Sequence, residues 1–196
     1  LITNAKLVDV LTGEIRETDV SVGGGKILGF SHTEAVKVVD ARGAYLLPGL
    51  IDAHIHIESS MVSPARFAGL VLPHGTTSVV ADPHEIANVH GLEGIRYMLE
   101  NGRHLPLNIF IALPSCVPAT PFEDSGAVLS AEELEELIDD PKVTGIGEMM
   151  NFPGVVSGDY DVLAKIQLGT SHGKIVDGHA PGLLGRDLDA YLVLSL

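Results

Sequence analysis

The sequence predicts an α/β chain: a β-rich N-terminal stretch, then apolar strands alternating with helices. Three observations carry that prediction. Residues 1–47 contain only short strand-like runs broken by turns. Pro48-Gly49 then marks a change of style. Beyond it, apolar runs recur with starts near 50, 76, 108, 144 and 174. Helix-like segments lie between them, the pattern of βαβ units and a parallel sheet.

The elements follow in order. Ala5–Val10, Thr18–Val22, Lys26–Phe30 and Val36–Asp40 are β-rich runs, with Leu11-Thr12-Gly13 and Gly23-Gly24-Gly25 as turns between them. The later strands are Leu50–Ile57, Thr76–Ala81, Asn108–Leu113, Thr144–Met149 and Lys174–Asp177. Ser63 before Pro64 predicts a helix start, with proline at the first helical position. Ile95, Met98 and Leu99 form an apolar stripe closed by Gly102. Ser130 with Glu133 reads as a capping box, and Pro141 stops that helix. A last helix is predicted over Leu183–Leu196, with Leu184, Leu188, Tyr191, Leu192 and Ser195 on one side.

The strand starts are separated by 26, 32, 36 and 30 residues. A (β/α)₈ barrel allots about 31 residues per unit, so residues 50–196 would hold roughly five of eight. A doubly wound open sheet can be complete with five strands, and spacing does not separate the two. No G-x-G-x-x-G follows the first strand, which counts modestly against a dinucleotide fold.

Composition excludes several functions. The 196 residues carry 12 Lys+Arg against 26 Asp+Glu, a net charge of −14. Nucleic-acid backbones are met by clustered Lys and Arg, so no nucleic-acid partner is expected. One cysteine rules out an intramolecular disulfide framework and a Cys-rich zinc module. No apolar run approaches the ~20 residues that span a bilayer, and no membrane partner is expected. No signal-peptide pattern opens the chain, and a cytoplasmic location is the expectation.

The candidate chemistry sits at strand ends. Alternate side chains of a strand share a face, so His54 and His56 point the same way as Leu50 and Asp52. Two imidazoles two residues apart can hold one metal ion. The alternative is a pair of polar residues capping an apolar strand. Glu148, in Gly147-Glu148-Met149-Met150-Asn151, ends the fourth run, where a carboxylate could bridge two ions. His179, in Asp177-Gly178-His179-Ala180-Pro181-Gly182, ends the fifth. Each has a bland reading as a loop residue, but three ligand types on one rim are far less expected by chance together. Asp82, His84 and Glu85 end the second run as possible ligands, proton carriers or substrate contacts, or as polar residues at a helix entry. Glu58 follows the histidine pair, with Ser59 and Ser60, and is placed at the same mouth. Ser115 opens Ser115-Cys116-Val117-Pro118-Ala119-Thr120 at the third strand end as a further possible contact; Cys116 reads as a small packed residue.

These motifs resemble a known family. Pro48-Gly49-Leu50-Ile51-Asp52-Ala53-His54-Ile55-His56 is similar to the opening signature of the metal-dependent amidohydrolase superfamily. The preceding strands resemble the first part of its small β-sandwich. More narrowly, His56-Ile57-Glu58-Ser59-Ser60-Met61, Ala81-Asp82-Pro83-His84-Glu85-Ile86-Ala87-Asn88-Val89 and the three motifs around Ser115, Glu148 and His179 resemble the bacterial adenine deaminases. The resemblance runs over essentially the whole chain, five motifs in order.

The resemblance implies a partial (β/α)₈ TIM-like barrel of about five units over residues 48–196, preceded by part of a β-sandwich over 1–47. It implies hydrolytic deamination of adenine to hypoxanthine and ammonia, a step of purine salvage and adenine catabolism. The cofactor would be a binuclear centre of manganese or iron. His54 and His56 would hold one ion, Glu148 would bridge and act in catalysis, and His179 would hold the second. A homo-oligomer is compatible with it. The superfamily also takes a histidine from the sixth strand and an aspartate from the eighth. This chain ends before either, so residues 1–196 alone are expected to be inactive and poorly stable. Rival readings are another amidohydrolase, such as N-acetylglucosamine-6-phosphate deacetylase, and a non-catalytic remnant chain. Dihydroorotase-like members are disfavoured, since they place a carboxylated lysine where this chain has Glu148.

Overall fold

The computed structural model describes residues 1–120 and 122–195. The chain divides into two compact units, Leu1–Gly49 and Leu50–Leu196.

The first unit is one five-stranded sheet. Its strands are β1 (Ile2–Val8), β2 (Ile15–Gly23), β3 (Lys26–Gly29), β4 (Val39–Asp40) and β5 (Tyr45–Leu46). β1 pairs antiparallel with β2, and β2 antiparallel with β3. The other edge of β1 takes β4 beside Ile2 and Thr3 and β5 beside Lys6 and Leu7, both parallel. The turn residues behave as the sequence indicates: Gly24 and Gly25 have φ of 60° and 73°, the left-handed region that favours glycine. Two details differ. Val36 lies outside any strand, and the two-residue β5 was not foreseen, because it is too short to leave a periodic signal.

The second unit is a curled parallel sheet with helices packed on it. Its strands are β6 (Leu50–Ile55), β7 (Thr76–Ala81), β8 (Asn108–Leu113), β9 (Val143–Met149) and β10 (Ile175–Gly178). Each strand is hydrogen-bonded to the next in sequence, in the order β10-β9-β8-β7-β6. That order decides between the two α/β alternatives. A doubly wound sheet reverses direction at a switch point. Here the winding keeps one direction, as in a (β/α)₈ barrel.

The helices are α1 (Pro64–Val71), α2 (His84–Gly102), α3 (Ala131–Ile138), α4 (Phe152–Ser157), α5 (Tyr160–Ser171) and α6 (Gly185–Ser195). Ser130 and Glu133 form the reciprocal capping box of α3. Ser63 occupies the N-cap of α1, yet its side chain makes no capping bond. Gly91 breaks α2 with φ of 58°. The last helix starts at Gly185, so Leu184 is left outside it and 78% exposed, while Tyr191 is buried. Leu196 lies outside the described residues.

The main core lies between the sheet and α1–α3. It includes Val79, Ile95, Met98, Ile109, Ile111, Leu113, Leu134, Ile138 and Ile146, all nearly or fully buried. Met149, Val155, Val162, Ile166 and Tyr191 form a second cluster under α4–α6. Burial rises toward the middle of the sheet. β9 is almost wholly buried, whereas Ile51 on β6 and Ile175 on β10 are 69% and 72% exposed. A strand covered on both faces reads as a continuous apolar run, which is why β8 and β9 were legible.

Candidate metal centre

The C-terminal ends of β6, β9 and β10 bring the predicted groups together. Glu148, near the end of β9, is buried, with a side chain 8% exposed. His54 Nε2 lies 2.5 Å from Glu148 Oε1, and His56 Nε2 lies 2.9 Å from the same oxygen. His179 Nδ1 contacts the other oxygen, Oε2. The two Nε2 atoms of His54 and His56 are 3.2 Å apart, so the pair does share a face. Asp52 does not join them; its Oδ1 accepts from His54 N–H at 3.3 Å. An open cleft of about 350 Å³ is lined by His54, Glu148, Asp177, Gly178 and His179.

The surroundings fix these groups. His56 Nδ1 lies 2.8 Å from the carbonyl of Asp82, which only accepts, so Nδ1 is the donor there. Asp82 is 1% exposed, and its Oδ2 accepts the backbone N–H of Glu148 at 2.9 Å. Gly147 makes this approach possible: a Cβ there would stand 2.2 Å from Asp82 Oδ2. Ser115 is buried and donates its hydroxyl to the carbonyl of Glu148. The Tyr191 hydroxyl accepts from His179 N–H at 3.0 Å and donates to Met149 O at 3.1 Å.

Electrostatics favour an ionised carboxylate. Burial alone would raise the Glu148 carboxyl, but His54, His179 and His56 around it bring it below the ordinary glutamate value. His84 is shifted the other way: the Asp82 carboxylate beside it raises its pKa. Glu58 is raised by burial, and Glu85 nearby adds to that.

The donor set fits a divalent cation. The Nε2 atoms of His54 and His56 and the carboxylate of Glu148 can each give a lone pair to a shared cation. Imidazole with carboxylate suits first-row divalent ions. His54, His56 and Glu148 offer ligand atoms all within 4.8 Å of one another.

The remaining predicted residues lie behind this group. His84 packs its ring against that of His56, centroids 4.4 Å apart. Asp82 does not cap α2, whose N-cap is Pro83. Glu85 accepts from the Ser59 hydroxyl, and Glu58 from Ile86 N–H at 3.3 Å. None of these four lines the open cleft. Two neighbours were not singled out from the sequence. Asp177 Oδ2 stands 3.4 Å from His54 Nδ1. Its place beside His179 at a strand end was the available signal. Tyr191 reaches the site from a helix twelve residues beyond His179, and nothing in the local sequence marks that.

Comparisons with known proteins agree with the fold. Residues 45–191 match the amidohydrolase family model. An adenine deaminase of Nitratidesulfovibrio vulgaris is 63% identical over 191 residues, 97% of this chain and 33% of that protein. An adenine deaminase of Clostridium acetobutylicum is 51% identical over 97% of this chain and 34% of its own length. The chain thus spans about a third of the length of the curated relatives it matches. Among solved structures, an atrazine chlorohydrolase from Arthrobacter aurescens complexed with zinc aligns with a TM-score of 0.64 at 16% identity, over 97% of this chain and 55% of that one. An N-isopropylammelide isopropylaminohydrolase from Burkholderia multivorans aligns with a TM-score of 0.63 at 19% identity, over 99% and 55%. At such identities the likeness shows the fold, a partial (β/α)₈ barrel. With that sheet order, three histidines closing on one buried glutamate and a family match over most of its length, the chain belongs to the amidohydrolase family.

Proposed function

We propose that this protein takes part in the metal-dependent hydrolytic deamination of adenine to hypoxanthine and ammonia. The observation that carries the reading is the convergence of His54, His56 and His179, from two strand ends far apart in sequence, on the two oxygens of Glu148. The identity to adenine deaminases over 97% of the chain supports adenine as the substrate. The cleft of about 350 Å³ is at the small end of ligand sites, in keeping with a single purine base.

His54, His56, Glu148 and His179 would hold the cation or pair of cations, manganese or iron. When bound, such a centre lowers the pKa of water toward neutrality and polarises the group under attack. The chain's own residues orient the donors. Asp177 faces His54 Nδ1 and the Asp82 carbonyl faces His56 Nδ1, which leaves both Nε2 atoms turned to Glu148. Asp82 and Ser115 hold the backbone of Glu148 from two sides. Tyr191 holds the backbone of His179. Among the described residues no helix is long and apolar enough to cross a membrane, and we place the reaction in the cytoplasm.

The test is residues 1–196 within a chain of the relatives' full length, supplied with Mn²⁺ or Fe²⁺ and adenine and followed for hypoxanthine and ammonia; residues 1–196 alone are expected to show no turnover. N-Acetylglucosamine-6-phosphate serves as the competing substrate. Turnover of adenine, abolished by His54→Ala with His56→Ala, is the expected result. Release of acetate from the sugar phosphate without deamination would replace this reading by the deacetylase one.

A further inference from the structure

α2 is not one rod. At Gly91 its backbone turns to φ 58° and ψ −140°, on the side of conformational space that favours glycine. The consequence shows at Gly94, where a Cβ would stand 2.8 Å from the carbonyl oxygen of Ile86. An unbroken helix would set residues 86 and 94 about 12 Å apart along its axis. The helix is therefore a corner with two arms, residues 84–90 and 92–102. Gly91 makes the turn, and Gly94 lets the arms meet.

The two arms have different neighbours. The second lies in the main core through Ile95, Met98 and Leu99. The first is tied to groups at the rim. Glu58 accepts Ile86 N–H at 3.3 Å, and Glu85 accepts from the Ser59 hydroxyl. Asn88 O accepts Gly126 N–H at 2.7 Å, and a Cβ on Gly126 would stand 2.7 Å from Val89 O. Held in this way, the first arm lays the His84 ring against that of His56, centroids 4.4 Å apart. With the second arm fixed in the core, straightening α2 would carry residue 84 about 10 Å along the axis beyond Gly91. Each of these ties would then break.

We propose that Gly91 and Gly94 are positioning residues for the metal centre: their corner in α2 turns the first arm so that His84 backs the ring of His56. The proposal rests on the reading of His54, His56, Glu148 and His179 as that centre. Neither glycine offers a group to an ion or a substrate, so both act through His84 and His56. Gly94→Ala is the sharper probe. Alanine is the better helix former, so the second arm tolerates it, but its methyl pushes on the backbone of Ile86.

The experiment uses residues 1–196 within a chain of the relatives' full length, with circular dichroism as the check on folding. Two quantities are read. One is the contact between the His56 and His84 rings, by NMR of ring-labelled histidine in the metal-free protein, assigned with His84→Gln. The other is the Mn²⁺ concentration for half-saturation. Gly94→Ala is expected to lose the ring contact and to raise the Mn²⁺ requirement by about tenfold, the scale of a lost support behind a metal-bound histidine. Gly91→Ala is expected to do the same. Gly69→Ala replaces a helical glycine of α1 that has open space around it, and it should change neither quantity. A folded Gly94→Ala protein that keeps the ring contact overturns the proposal, and so does one that loses the contact and binds Mn²⁺ as the parent does. If Gly94→Ala does not fold, Gly126→Ala presses the same arm at Val89 O and is read against the same outcomes. A parent that binds no Mn²⁺ defeats the metal reading, while the ring contact still decides whether the corner places His84.

Discussion

Glu148 and Asp82 are both buried carboxylates on one rim of the sheet, two strands apart, and they are treated differently. Both oxygens of Glu148 meet histidines, which arrive from β6 and from the end of β10. Asp82 spends one oxygen on Glu148 N–H and leaves the other facing His84 without a bond. The partners of both come from across the chain, but Glu148 meets side chains through both its oxygens, whereas Asp82 is tied chiefly through backbone groups, with His84 as its one side-chain neighbour at the carboxylate. One carboxylate is a meeting point. The other is a prop that also carries unmet bonding capacity. The contrast teaches that a site's ligands and its supports can be the same residue type, told apart only by which atoms are engaged.

The comparison can be broken most severely at Glu148. Removing both imidazoles, His54→Ala with His56→Ala, should strongly reduce the divalent metal held at this centre; unchanged metal content by elemental analysis would refute the assignment. Glu148→Gln should lower the ions held at this centre from two toward one, because a neutral amide is a poorer bridge between cations. Retention of both with full turnover would count against Glu148.

At Asp82 the expected effect is smaller and indirect. Asp82→Ala removes the acceptor of Glu148 N–H while leaving every histidine in place, so metal affinity at Glu148 should fall by about 10- to 100-fold. Titration with Mn²⁺ checks this, and an unchanged affinity would show that Asp82 does not position Glu148. Gly147→Ala probes the same contact from the other side. A methyl there meets Asp82 Oδ2 at 2.2 Å, and the overpacking should cost about 1–3 kcal/mol in chemical denaturation. Ser130→Ala, far from either carboxylate, supplies the baseline. It loses one capping bond of α3 and should cost about 1 kcal/mol with no change in metal binding.

Much of this arrangement was legible in the sequence, for identifiable reasons. β8 is an apolar run, and β7 and β9 carry β-branched residues with apolar stretches, so their starts were placed within a residue. The box at Ser130 is a local motif whose two bonds need only residues three apart. His54 and His56 share a face because strand side chains alternate. The short β5 and the reach of Tyr191 were not legible. The first is too brief for periodicity, and the second depends on how α6 lies against the end of β9.

The sequence by itself determined the α/β class, the strand ends that carry chemistry and the residue types found there, because alternation, capping and turn formation are short-range effects. It left open whether the five strands wind as a barrel or as an open sheet, and what Asp82, His84 and Glu85 do. Strand order settled the first, since only pairing partners reveal winding direction. For Asp82 the structure supplied its placement: Gly147 lacks a side chain, so Asp82 can cross to the backbone of Glu148, and no spacing along the chain encodes a contact between residues 66 positions apart.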